Sequence, residues 1–143
     1  MVEMQDAPLE VLDELAATVL LLLGATPWDA VIRLVDLGCL ARPTLAVGLD
    51  AVLSLRIEQV LTVHADRTQR QAPHGAGNEF RTSLLALATT IQDVAVRGAA
   101  SAAEVAAHER AAGYRRIARA MERARERDLR AAWDELSGRG RLS

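Results

Sequence analysis

The sequence contains no lysine, one cysteine and very few aromatic residues: two tryptophans, one tyrosine and one phenylalanine in 143 residues. The lone cysteine, Cys39, excludes a disulfide-stapled scaffold. The scarcity of aromatic side chains argues against a large aromatic-lined pocket for a small molecule. Half of the residues are hydrophobic, which is too many for an intrinsically disordered chain. We therefore expect one folded domain over residues 1–143.

Long hydrophobic runs are missing as well. The longest run, from Leu15 to Ala25, is well short of the ~20 residues that span a bilayer. Five acidic residues precede it, where a secretory signal carries positive charge. These features predict a cytoplasmic protein with no membrane partner.

The alternating pattern of a half-buried β-strand is not sustained anywhere, whereas apolar residues recur every three or four positions along the chain. The sequence therefore predicts an all-α fold, a bundle of about five helices in a single domain. The first four helices are expected over about 8–23, 27–38, 44–66 and 79–97, and residues 67–78 are expected to form a flexible loop.

The last segment has the signature of a long helix. Ser101 and Glu104 have the spacing of a capping box, and Gly98 is expected to end the helix before it. An interior glycine, Gly113, costs about 1 kcal/mol in a helix without forbidding one. A long, arginine-rich C-terminal helix over residues 102–136 is therefore predicted, either straight or kinked, and either packed on the bundle or protruding from it.

The formal charge of −2 conceals an asymmetry between the two halves of the chain. Residues 1–66 hold 3 arginines and 10 acidic residues, and residues 67–143 hold 14 arginines and 9 acidic residues. The sums are therefore −7 and +5. Five arginines recur every three or four positions on the predicted last helix and are expected to line one of its faces: Arg116, Arg119, Arg123, Arg127 and Arg130.

Two explanations of this arginine row remain open. Arginine forks suit phosphate groups, so the row is a candidate nucleic-acid surface. The isoelectric point near 5.9 and the lack of interleaved aromatic residues favour instead arginines that pair with carboxylates. Those carboxylates would belong to the acidic first helices, either within one chain or across a contact between two chains.

The predicted last helix also carries apolar residues on a second stripe. A long helix with a narrow apolar stripe usually needs a partner helix, so we expect self-association through this stripe. The residues of this self-association seam are Ile117, Met121, Leu129, Trp133 and Leu136.

Residues able to support catalysis are sparse. Glu104 and His108 are four apart, one residue more than in the Glu-x-x-His motif of di-iron bundles, and no second copy of the pair exists. Arg67 and His74 have a spacing superficially similar to the motif of the all-α HEPN-type ribonucleases, but the histidine lies in the predicted loop. No catalytic residue, metal or cofactor is therefore predicted.

These observations favour a non-catalytic protein-interaction or assembly component, that is, an adaptor, a regulator or a subunit of a homo-oligomer. Its expected partner is a protein, chiefly a second copy of itself. A nucleic-acid-binding protein that uses the arginine row is the first alternative. A metal-dependent or ribonuclease-type helical enzyme is the second.

Overall fold

A computed structural model describes residues 9–24, 32–35, 51–70 and 76–138. Within these ranges every residue is helical except two three-residue turns and the closing Gly138, and no strand occurs. The predicted all-α bundle is confirmed, with six helices in the described ranges where about five were expected. They are α1 (Leu9–Gly24), α2 (32–35), α3 (Ala51–Arg70), α4 (Ala76–Glu104), α5 (His108–Arg125) and α6 (Leu129–Ser137).

Helix α4 is at the centre of the bundle, because it contacts α1, α3 and α5. Helix α1 also packs on α5 and α6. Five apolar residues recur on α4 at alternating spacings of four and three positions, which places them on one face, and this face is buried. Its members are Phe80, Leu84, Leu87, Ile91 and Val94.

Gly98 does not end α4, as the sequence suggested, but is buried inside it. A β-carbon at residue 98 would lie 2.6 Å from Cε1 of Tyr114 on α5, so the absence of a side chain is what admits the ring. The predicted capping box is also wrong, because α4 continues past Gly98 as far as Glu104. Ser101 and Glu104 belong to the last turns of α4 and do not open a new helix.

A turn at residues 105–107 separates α4 from α5. Ala106 adopts a left-handed φ of 59°. The N–H of Ala107 donates to the carbonyl of Ala102 at 2.8 Å, and that of Ala106 donates to Ala103 at 3.0 Å. This pair of bonds is the Schellman ending of a helix, formed here around an alanine in place of the usual glycine.

A second ending of the same kind divides α5 from α6. Arg127 has a φ of 68°, and the N–H of Asp128 donates to the carbonyl of Arg123 at 3.0 Å. The carboxylate of Asp128 then accepts from the N–H of Ala131 at 3.0 Å and caps α6. The expected single helix over 102–136 is therefore divided between the end of α4, α5 and α6. It does not protrude, since α6 packs on α5 and α1.

The expected loop over 67–78 is also revised. Residues 67–70 extend α3 and residues 76–78 begin α4. Cys39, His74, the start of the helix expected at 44 and most of the helix expected at 27–38 lie outside the described residues. Among the helices that are described, none has the length and hydrophobicity needed to cross a membrane.

Candidate interaction surfaces

The arginine row predicted from the sequence does not lie on one face of one helix. Arg116, Arg119 and Arg123 belong to α5, Arg127 occupies the left-handed position of the turn, and Arg130 belongs to α6. The turn changes the direction of the chain between the third and fifth members. The row is therefore interrupted and does not form a continuous track.

Carboxylates of the same chain also neutralise part of the row. The Nε of Arg119 lies 3.0 Å from Oε1 of Glu135, and this ion pair joins α5 to α6. Arg123 lies 3.4 Å from Glu126. Residues 108–138 contain eight arginines against six acidic residues, so the net positive charge of this region is small.

The acidic first helix meets the arginine-rich fifth helix within the chain. Nη1 of Arg110 on α5 lies 3.4 Å from Oε2 of Glu10 on α1, and its guanidinium lies 5.9 Å from the centre of the Tyr114 ring. Protein atoms around the exposed Asp13 partly desolvate its carboxyl group and raise its pKa, an effect that the positive charge of Arg116 opposes. The charge complementarity expected between the two halves therefore has an intramolecular component.

The predicted self-association seam is occupied within the chain itself. Ile117 and Met121 are 1% and 0% exposed, in the core. Leu129, Trp133 and Leu136 are partly buried against the same core. The seam prediction is revised accordingly, because the turn at 126–128 folds these apolar residues onto the bundle and little of the stripe is left for a partner.

A different surface presents apolar side chains to solvent. Val52 and Leu55 on α3 are each 51% exposed. Beside Leu55, a cavity of about 690 Å³ runs between α3 and α4, and we call it the α3–α4 groove. Its lining is Leu55, Arg56, Glu58, Gln59, Thr62, Val63, Glu79, Thr82, Ser83 and Ala86.

Sequence analysis missed this groove, although a weak signal was present. Residues 52, 55, 59 and 62 follow the three and four spacing of a helix face, but half of them are polar. A helix face with so few hydrophobic residues is normally expected to be exposed to solvent without a binding role. Of helices α1, α4, α5 and α6, only α4 packs against α3, so these four helices leave the side of α3 that carries Val52 and Leu55 uncovered.

A smaller cavity of about 350 Å³ lies where the end of α1 approaches α2 and α6. Leu20, Leu21 and Trp133 contribute apolar walls, and Arg33 contributes the positive charge. Trp133 therefore serves two roles, since part of its surface packs on the core and part lines this cavity.

Metal ligands do not converge in the described part of the chain, where no three His, Cys, Asp or Glu side chains form a group able to hold an ion. Glu104 and His108, the candidate pair, lie on different helices because the turn at 105–107 separates them. The helical spacing that motivated the pair therefore does not apply.

No protein family, curated protein or solved structure matches the chain. The α3–α4 groove combines exposed apolar side chains with charges of both signs. The arginine row, by contrast, is interrupted and partly neutralised.

Proposed function

We propose that the protein is a non-catalytic, cytoplasmic interaction or assembly component that binds another protein through the α3–α4 groove. The observation that carries the proposal is the half-exposed Leu55 beside a cavity of about 690 Å³. A cavity of several hundred Å³ has room for a few side chains of a partner.

The energetics favour a modest but specific interaction. Complete burial of a leucine side chain contributes about 1.5–3 kcal/mol, so covering the exposed half of Leu55 contributes roughly 1 kcal/mol. The polar members of the lining then restrict which partner fits, because each one that is buried needs a hydrogen-bonding partner.

The nucleic-acid alternative has less support. Phosphate binding by a helix face requires several unpaired arginines at regular spacing. Arg119 and Arg123 are engaged with Glu135 and Glu126, and the turn at 126–128 removes Arg130 from the face of α5. We therefore give protein binding priority over nucleic-acid binding.

Substitution of Leu55 tests the proposal. The full chain is recovered from its native cells as wild type, as Leu55→Asp and as Val96→Asp, and its complexes are weighed by native mass spectrometry. Val96 is the matched control, because it is 56% exposed on α4 and does not line the groove. We expect the wild type and Val96→Asp to show the same protein complex and Leu55→Asp to show the free chain.

Two results would contradict this expectation. One is a complex that survives Leu55→Asp unchanged, since the groove would then play no part in it. The other is a wild-type chain that is always recovered free. Far-UV circular dichroism of each variant confirms that the helices are intact, because both substituted side chains are solvent-exposed and their loss should leave the bundle folded.

A further inference from the structure

We infer that the partner in the α3–α4 groove is the same groove of a second copy of this chain, packed antiparallel about a two-fold axis, with Arg56 of each copy facing Glu79 of the other. The inference rests on the proposed function and names its partner. It follows from the positions of the two charged side chains along the groove and from the hydrogen bonding of Arg56.

The two charges lie towards opposite ends of the groove. Five residues join α3 to α4, and such a short connection makes neighbouring helices antiparallel. The rings of His64 and Phe80 lie 5.9 Å apart, which sets the register. Glu79 is therefore level with the end of α3 near His64. Arg56 precedes His64 by eight residues, about 12 Å at a rise of 1.5 Å per residue.

This arrangement is self-complementary. A two-fold contact brings each patch against its own copy, so a patch with separated opposite charges pairs twice when the two copies run antiparallel. Arg56 then faces Glu79 of the partner subunit, and the reverse pair forms at the other end. The same operation sets Leu55, near the Arg56 end, against the Val63 end of the partner's groove. A parallel arrangement would instead place like charges together.

Arg56 also has unused hydrogen-bonding capacity. Its Nη1 donates to Oε1 of Gln59 at 2.9 Å, while its Nε is buried with no acceptor among the described residues. Because Nε is not accessible from outside the chain, a carboxylate of the partner subunit would accept from the Nη atoms of Arg56, a charge-assisted hydrogen bond. Glu79 is exposed on the first turn of α4 and is free to approach from a second chain.

Glu58 is the other carboxylate of the groove, and it lies two residues from Arg56. In the antiparallel arrangement Glu58 therefore lies at the same end of the interface as Glu79 of the partner subunit, and the two negative charges repel each other. Because Glu58 is exposed, water and salt weaken this repulsion. Glu58→Gln should therefore tighten the dimer. If the dimer had a different register, the substitution would leave its dissociation constant unchanged.

Charge reversal tests the pairing. Sedimentation equilibrium of the purified full chain over the micromolar range should show a monomer–dimer equilibrium. Arg56→Glu and Glu79→Arg should each raise the dissociation constant about tenfold or more, because symmetry converts two attractive pairs into two repulsive ones. The matched controls are Arg115→Glu and Glu104→Arg, which change the charge equally at exposed positions outside the groove.

Restoration is the decisive part of the experiment. The double variant Arg56→Glu, Glu79→Arg should dimerise again. A mixture of the two single variants should form a one-to-one heterodimer in native mass spectrometry, because one chain then carries two negative and the other two positive charges at the paired positions. Loss of folding in the single variants cannot produce this pattern, since an unfolded chain would not be restored by mixing.

Each remaining outcome overturns the inference. A wild-type chain that stays monomeric, single variants that dimerise normally, or a mixture that does not form heterodimers would each do so. The proposed function fails separately. If the purified chain is monomeric while a complex from cells is lost in Leu55→Asp, the groove binds a different protein, and the proposed function stands without the two-fold dimer.

Discussion

The ring of Tyr114 lies directly against Gly98, where a β-carbon on the glycine would be 2.6 Å from Cε1 and 2.7 Å from Cδ1 of the ring. This contact joins α5 to α4, the helix that precedes it in the chain. Tyr114 is 4% exposed, so its ring is packed among protein atoms and does not face solvent. The close approach of α4 and α5 therefore depends on the missing side chain at residue 98.

Gly98→Ala should destabilise the protein. Forcing a methyl group into a packed site costs about 1–3 kcal/mol, which exceeds the roughly 1 kcal/mol that alanine gains over glycine within a helix. The free energy of unfolding from urea denaturation measures the difference. The control is Gly113→Ala, where the nearest atom is the flexible end of Leu9 at 2.9 Å. Equal effects of the two substitutions would show that the Tyr114 contact is unimportant.

Ala106→Gly should stabilise the protein by about 0.5–1 kcal/mol. Ala106 has a φ of 59°, a conformation that glycine adopts without steric cost. Ala100→Gly is the matched control, because Ala100 is also exposed but lies within α4 in ordinary helical conformation. It should lower the unfolding free energy by roughly 1 kcal/mol. Opposite signs for the two glycine substitutions in thermal or urea denaturation support the Schellman ending, and equal signs contradict it.

The ion pair between Arg119 and Glu135 should couple α5 to α6. A double-mutant cycle with both residues changed to alanine is expected to give a coupling of about 1 kcal/mol, near the upper end for partly exposed pairs. We expect this relatively large coupling because the two charged atoms are only 3.0 Å apart and the side chain of Glu135 is only 20% exposed. The same cycle on Arg123 and Glu126, at 3.4 Å and more exposed, should give about 0.3 kcal/mol. A larger coupling in the second pair would refute this ranking.

Stability should depend on pH through Asp13 in an unusual direction. Partial desolvation raises the pKa of Asp13 in the folded protein, with Arg116 opposing the shift. A carboxyl group with a raised pKa binds its proton more tightly in the folded state, so its penalty is fully present above the raised pKa and disappears as the pH falls through it. Asp13→Asn should therefore be more stable than the wild type at neutral pH, and the two should converge in acid.

Glu10 provides the control for the pH series. A hydrogen bond to its own backbone N–H lowers the pKa of Glu10, and Arg110 acts in the same direction. Its contribution to stability is present above the pKa of the unfolded chain and is lost as the pH falls through the lowered value. Glu10→Gln should therefore be less stable than the wild type at neutral pH. Urea denaturation between mildly acidic and neutral pH measures both variants, and differences of the same sign would contradict the two pKa shifts.

The helical character of the chain and the buried stripe of α4 could be predicted from the sequence. Leu84, Leu87 and Ile91 repeat at helical spacing, and a pattern of this kind can be recognised from residues within one or two turns of each other. The endings of the helices were harder to predict. Ala106 and Arg127 adopt a left-handed conformation that is normally marked by glycine, so no local signal identified the two turns, and residues 102–136 were expected to form one helix.

The candidate site depended still more on tertiary structure. The sequence identified Ile117 and Met121 as apolar residues that need a partner, but not that the partner lies within the same chain. It gave no reason to combine Arg56 with Glu79 either, because they are 23 positions apart and meet one groove only when α3 packs against α4. Local periodicity determines which residues form a helix and which face is apolar. The contacts between distant helices decide which of those faces remains open to a partner.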